Sequence, residues 1–398
     1  MEAYAAEWLN LLLRWFHLIT GIAWIGASFY FVWLDNSLEP PKDPELKAKG
    51  VAGELWAVHG GGFYNPQKYL VAPPALPPHL HWFKWEAYST FLSGFALLAT
   101  AYYWKGQSSL LALGSTLDLA WGPVLGLAYL LGGWLVYDLL CRSPLGRNDA
   151  RLGLVVGVLA LGAAYSMTHV FSGRAAYLHA GAMLGSIMVA NVFFVIIPGQ
   201  KKLVAAMQAG QSPDPEHGRR AKQRSVHNNY FTLPVLFAMV SNHYAFLYNH
   251  ALAGVVLCLV MLGGVLIRHT FNLRHKGKPG WPFFVAGSAL LLVAAFIVRP
   301  EPAQAAAAGT PAADPARALA IVHARCTPCH AEKPSFAGIV APPGGILLQT
   351  ADDLDRLADR VHQQSVVLRA MPLGNLTNLT DAERAELASW YAGRNGAK

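Results

Sequence analysis

The sequence predicts an all-α protein in two parts, a polytopic membrane helix bundle of eight transmembrane helices over residues 1–299 and a small helical domain over residues 314–398, joined by a linker at 300–313. Three observations predict it. Apolar runs long enough to cross a bilayer recur through the first part. A Pro/Ala-rich stretch without hydrophobic period, PEPAQAAAAGTPAAD, follows them and reads as a tether. Beyond it stands a compact cysteine and histidine motif, Cys326-Thr327-Pro328-Cys329-His330, whose chemistry belongs to a small soluble domain. With 54% hydrophobic and 14% charged residues the chain is too apolar for an ordinary soluble protein, so a lipid bilayer is its expected surrounding. The formal charge of +8 does not indicate nucleic acid, because the basic residues cluster in short segments between apolar runs.

The predicted spans are Trp8 to Leu34, Ala87 to Trp104, Leu119 to Cys141, Leu152 to His169, Ala175 to Ile197, Tyr230 to Tyr248, Leu252 to Ile267 and Trp281 to Val298. The first is too long, and too rich in bulky residues at its end, to read as a cleaved signal peptide. Positive residues concentrate in alternate loops: Arg142, Arg147 and Arg151; Lys201, Lys202, Arg219, Arg220, Lys222 and Arg224; Arg268, Arg274, Lys276 and Lys278. The opposite loops offer Lys105 and Arg174. Cytoplasmic loops carry the excess of Lys and Arg, so both termini are expected outside. Cys141 and Cys258 stand alone and are read as neither disulfide partners nor ligands.

Cys326 and Cys329 lie three positions apart, so both thiols can add to the vinyl groups of one porphyrin, with the adjacent His330 under the iron. A zinc site would need a second ligand pair, and a redox CxxC leaves His330 without a role. The motif therefore predicts haem c, with Met371, the methionine that follows it, as the second axial ligand. A neutral thioether favours ferrous iron and raises the potential. Asp381 to Arg394 read as a closing helix with Thr380 as cap, Glu383 at the capping-box position and Leu387, Trp390 and Tyr391 on one face. The segment resembles a small class I cytochrome c. Haem c is attached outside the cytoplasm, in agreement with the charge argument.

Several histidines are more than an anchor needs. With the topology above, His17, His169, His179, His243 and His250 fall in the outer half or at the outer rim of the bundle. His17 and His179 are each followed by small residues at helical spacing, which lets a flat macrocycle approach the backbone. The cluster predicts a b-type haem held by His179 and His243, with His17 and His169 in reserve. A polar cavity lined by hydrogen-bonded histidines is the alternative.

The inner loop between the first two spans alternates aromatics, glycines and titratable groups around Trp56 to Tyr64, Gln67 to Tyr69 and His79 to Glu86. Its three glycines, Gly60 to Gly62, lack the Walker ending, so they form no phosphate loop of that kind. Trp82, Lys84 and Trp85 read as interfacial anchors. His59, Lys68 and His81 read as functional.

The HxxxGxAWIGASFYFxWLDN run, the WAVHGGGFYxxQKY and LHWFKWEAY segments, the HAGAMLGSIMVANVFFVIIPGQ helix and the C-terminal CxxCH together resemble the bacterial integral-membrane urate hydroxylases fused to cytochrome c. The resemblance covers essentially the whole chain. It implies oxidation of urate to 5-hydroxyisourate in the bacterial inner membrane, with both termini and the cytochrome on the periplasmic side. Electrons would pass to the attached cytochrome c and on to a respiratory cytochrome or terminal oxidase. Urate is a planar anion, so the inner loop is the expected substrate site. Lys68, Lys84, Tyr64 and Gly61 would bind it, and His59, His81 and Glu86 would handle protons. The alternative function is a membrane-anchored di-haem electron carrier, for example between quinol and an oxidase.

Overall fold

The computed structural model describes residues 2–104, 110–112, 115–299, 314–336, 339 and 341–395. The predicted linker at 300–313 and Lys105 lie outside the described residues. A long first helix, α1 (Glu2–Ser37), is followed by a short α2 (Pro44–Ala48) and four short strands. These are β1 (Val51–Glu54), β2 (Ala57–His59), β3 (Gly62–Tyr64) and β4 (Gln67–Tyr69). Next come α3 (Trp85–Leu98), which continues as a π-helical turn over Ala99–Trp104, α4 (Trp121–Arg142), α5 (Asp149–Val170) and α6 (Gly173–Ala190). A second π-helical turn, Asn191–Ile196, joins α6 to α7 (Ile197–Gln208). The first part closes with α8 (Pro215–Val240), α9 (Ala245–Tyr248), α10 (Ala253–His275) and α11 (Trp281–Ile297). The C-terminal part holds α12 (Pro315–Arg325), α13 (Ala351–Arg356), α14 (Ala358–Val361) and α15 (Asp381–Asn395).

The protein is mainly helical, and each predicted span falls on helix. Among the described residues five helical runs are long and apolar enough to cross a membrane: Trp8–Ser37, Trp121–Arg142, Asp149–Val170, Gly173–Gln208 and Ala253–His275. The other three depart from a simple span for different reasons. The π-turn interrupts α3 at Ala99, α8 carries a charged first half and ends in the 3-10 turn Ser241–His243, and α11 is only 17 residues long. Two helices run well past their apolar stretches. α8 begins at Pro215 and not near Tyr230, and α10 continues to His275. Arg224 and Arg268, counted above as loop charges, therefore sit on helix and are buried.

The strands are a departure from an all-α chain. β1 pairs antiparallel with β4, and β2 with β3 in the register Ala57 to Tyr64, Val58 to Phe63 and His59 to Gly62. Gly60 and Gly61 form the two-residue turn with φ of +57° and +81°, the mirror-image backbone that a tight hairpin needs and that glycine adopts without strain.

In the bundle, α6 is the central helix. Ala175, Tyr177, His179, Ala180, Met183 and Leu184 on it are all buried, and α3, α4, α5 and α8 surround it. Its run of alanines and glycines lets those neighbours approach closely. Many large apolar side chains on the outer faces, among them Trp15, Ile22, Leu131 and Leu292, are exposed, as expected of helices facing lipid.

The C-terminal part has its own core of Ala318, Ile321, Val322, Leu354, Leu379, Leu387 and Trp390. Arg317 to Glu386 and Arg325 to Glu383 tie α12 to α15 at 2.7 and 3.0 Å. Thr380 Oγ1 accepts the Glu383 N–H at 3.2 Å while Glu383 Oε2 accepts the Thr380 N–H at 2.8 Å, a reciprocal capping box at the start of α15. The part meets the bundle where Asn249 Nδ2 donates to the Arg369 carbonyl at 2.8 Å. Beside that contact, His169, His250, Arg369 and Arg384 line a cavity of about 580 Å³.

Candidate functional site

α12 delivers the cysteine motif. The Cys326 N–H closes the helix onto the Val322 carbonyl at 2.8 Å, and the Cys329 and His330 N–H groups turn back onto the Cys326 carbonyl at 3.1 and 3.0 Å. That single turn sets two thiols and an imidazole side by side. His330 Nδ1 lies 3.1 Å from the Ile346 carbonyl. A carbonyl only accepts, so Nδ1 carries the proton and Nε2 keeps its lone pair, the tautomer an axial ligand needs. Burial pushes the Cys326 thiol up to about 12 and raises Cys329 as well, unlike the low-pKa thiolates of redox CxxC pairs. Met371 is held from both sides of its backbone: its N–H donates to Gln364 at 3.0 Å and its carbonyl accepts from Arg384 Nη1 at 3.1 Å. Two thiols and an imidazole nitrogen on one turn, with Met371 fixed by its backbone, are a donor set that fits a covalently attached haem. Among the described residues, no three His, Cys, Asp or Glu side chains converge as a metal cluster, at this motif or elsewhere.

The outer histidines divide into two kinds. His179 is fully buried; its Nδ1 donates to the Ala175 carbonyl at 2.8 Å, and Tyr103 Oη meets Nε2 at 2.9 Å. Phe171 stacks on one ring face at 4.6 Å, and Gly126 lies against Nε2, where a Cβ would stand 2.9 Å away. Tyr103 comes from the π-turn after α3, and such turns recur at functional positions because they redirect side chains. His17 resembles it: Nδ1 donates to the Thr90 carbonyl at 3.0 Å, and Gly94 faces the ring. His243 is exposed in the 3-10 turn that ends α8, and His169 is exposed against Tyr165. The side chains against His179 are therefore Tyr102, Tyr103 and Phe171, and the expected partner His243 is not among them. Of the four histidines, His17 and His179 have the ligand tautomer and a glycine beside the ring.

The loop residues are not gathered into one cluster. His59 ends β2 and is exposed, Tyr64 and Gly61 belong to the same hairpin, and the exposed His81 packs edge-on to Phe83 at 4.6 Å. Lys84 lies over Trp85 at 5.8 Å, and Glu86 opens α3, its carbonyl accepting from Thr90 Oγ1 at 2.6 Å. Lys68 on β4 is the exception, because it pairs with Asp35 of α1, which also holds Lys222 of α8 at 2.8 Å. Partial burial, and then the neighbouring Lys222, lower the Lys68 pKa.

A buried polar network outside the sequence-predicted sites joins α4, the turn after α6 and α8. Arg224 Nη2 donates to Asp138 at 2.7 Å and Nη1 to Asn191 at 3.1 Å. Asn191 Nδ2 donates to Asn228 Oδ1 at 2.9 Å and to Tyr137 Oη at 3.1 Å, and Tyr137 Oη is hydrogen-bonded to His227 Nδ1 at 2.7 Å. A second π-turn begins at Asn191. Asp138, a lone carboxylate in the apolar run LLGGWLVYDLLC, was the sequence signal for it. Next to it on α8, Asn229 turns the other way, to Arg268 and Asn272 of α10.

No curated protein and no solved structure matches the chain. The model of one family does, over residues 3–299, which is the whole bundle together with the loop between its first two spans. By that match the chain belongs to the urate oxidase N-terminal family.

Proposed function

We propose that the chain is a membrane-bound urate hydroxylase that passes electrons to its own C-terminal cytochrome c. Eight helices in residues 1–299 would cross a bacterial inner membrane, with both ends and residues 314–398 on the periplasmic side. The observation that carries this reading is a pairing on one chain. A region of the urate oxidase N-terminal family precedes a CxxCH turn whose His330 keeps Nε2 free. Urate monoanion and water give 5-hydroxyisourate, one proton and two electrons, so the site must bind a planar anion, admit water and take up a proton. Lys68, Lys84, Tyr64 and Gly61 would contribute to binding on the inner side, and His59, His81 or Glu86 would receive the proton.

Cys326, Cys329, His330 and Met371 would hold haem c, which supplies one-electron acceptance when bound. The fused domain then reduces a respiratory cytochrome or a terminal oxidase. Because two electrons leave urate, the proposal includes a b-type haem on outer histidines. His17 and His179 are favoured by their tautomers, and His243 and His169 are placed behind them by their exposure.

The test is anaerobic addition of urate to the purified full-length chain. The expected result is urate-dependent reduction of the haem c absorption and none with quinol alone; the reverse establishes the electron carrier. In the same assay His59→Ala and Lys68→Ala should lower turnover at least tenfold with normal haem content. Near-normal turnover in both makes the loop a structural cap.

A further inference from the structure

The polar cluster on α8 and α10 differs from its neighbour on α8 in one respect: it is open. Arg224 is matched by Asp138 and Asn191. Arg268 is as deeply buried, 5% exposed, yet it is in none of the ion pairs among the described residues. Its Nε donates to Asn229 Oδ1 at 2.9 Å, and this bond fixes the rest. A guanidinium can only donate, so Asn229 must turn its oxygen toward it. Asn272 Nδ2 then donates to the same oxygen at 3.0 Å. Three polar atoms are left buried without partners among the described residues: Arg268 Nη2, Asn229 Nδ2 and Asn272 Oδ1. Asn229 is fully buried and Asn272 is 6% exposed. Unpaired buried polar groups are rare, and an unpaired buried cation rarer still.

The leftover pattern is two donors, one of them cationic, and one acceptor. A cyclic ureide presents the complement, carbonyl oxygens alternating with ring N–H groups, and the urate monoanion adds the charge that Arg268 lacks. The Phe29 ring of α1 lies 3.8 Å from the Arg268 guanidinium carbon, so an aromatic face supports the cation and fixes its plane.

The inner loop is fastened over the same place. Asp35 follows Phe29 by six residues on α1, roughly 9 Å along the helix, and Lys222 precedes Asn229 by seven residues on α8, roughly 10 Å. Both converge at the ion cluster that holds Lys68, and with it the β1–β4 ribbon, beyond the open cluster.

We propose that Arg268, Asn229 and Asn272, with Phe29 as aromatic partner, form the pocket that binds the urate ring, and that the β1–β4 ribbon closes it. The assignment rests on the urate reading above. It puts the substrate about 22 Å along α10 from the end that meets the C-terminal part, so electrons must traverse the bundle.

The test is equilibrium dialysis of urate against full-length, haem-loaded protein whose haem has been reduced beforehand, so that bound urate cannot react. Asn272→Leu should raise the Kd roughly tenfold, Arg268→Gln roughly a hundredfold and Phe29→Leu, which keeps an apolar side chain but removes the ring, severalfold. Haem absorption and a single elution peak check folding, and Phe29→Leu decides should the polar variants misfold. Wild-type protein that binds and oxidises urate while the folded variants bind it equally well overturns the pocket and leaves the function standing. Wild-type protein that neither binds urate nor is reduced by it overturns both.

Discussion

Arg224 and Arg268 show how one residue type takes opposite roles. Both sit on helical extensions that sequence reading assigned to loops, and both are buried. Arg224 is neutralised by Asp138, which leaves it a structural tie between α8 and α4, whereas Arg268 keeps one buried donor, Nη2, without a partner among the described residues. At the proposed haem c the same reasoning is simpler, because the two ligands are set by local contacts: His330 by the Ile346 carbonyl and Met371 by Gln364 and Arg384. Met371→His would exchange a neutral thioether for a stronger donor to ferric iron. The midpoint potential should fall on the order of a hundred millivolts, a fraction of the roughly 0.8 V that axial ligands span. Any weak sulfur-to-iron band at the red edge should vanish. Redox titration with the absorption spectrum checks this, and an unchanged spectrum would assign the ligand elsewhere.

Among the elements, α15 was legible almost to the residue because its cap is written in adjacent positions, Thr380 and Glu383. The charge there also predicts a pH dependence. Partial burial works against ionisation of Glu383, but the Thr380 N–H and the Arg325 guanidinium outweigh it and hold the carboxyl below the usual range. The stability it contributes is therefore present above the ordinary glutamate value, about 4.3, and is lost as pH falls through the lowered one. Glu383→Gln should cost about 1–2 kcal/mol at neutral pH, and the difference from wild type should shrink below about pH 4. Thermal unfolding followed at the haem band reads both. The strands β1 to β4 were not legible. They are three or four residues long, and only the Gly60-Gly61 turn announces one of the two pairings. The π-turns at Ala99 and Asn191 were also out of reach, since they leave the apolar composition of their runs unchanged.

For the whole molecule, the alternation of basic residues in the sequence and the proposed haem c agree on one proposed arrangement, with the C-terminal part outside. A reporter fused after Lys398 should be active only on the periplasmic face, and activity confined to the cytoplasm would reverse the topology. The contact of Asn249 with Arg369 places the C-terminal part on the end of the bundle that carries His169 and His250, the end that is outer in the proposed topology. What the sequence determined by itself was whatever depends on neighbours in the chain: which runs are apolar, where α15 is capped, and that two cysteines and a histidine share one turn. Which histidines face a glycine, and which of two buried arginines has a carboxylate, was decided only by tertiary structure. Asp138 lies 86 positions from Arg224, and Arg268 lies 39 from Asn229, so no local pattern relates them. Helix packing sets those pairs within hydrogen-bonding distance, and in a low-dielectric interior the presence or absence of one partner separates a structural tie from a group with bonding capacity left over.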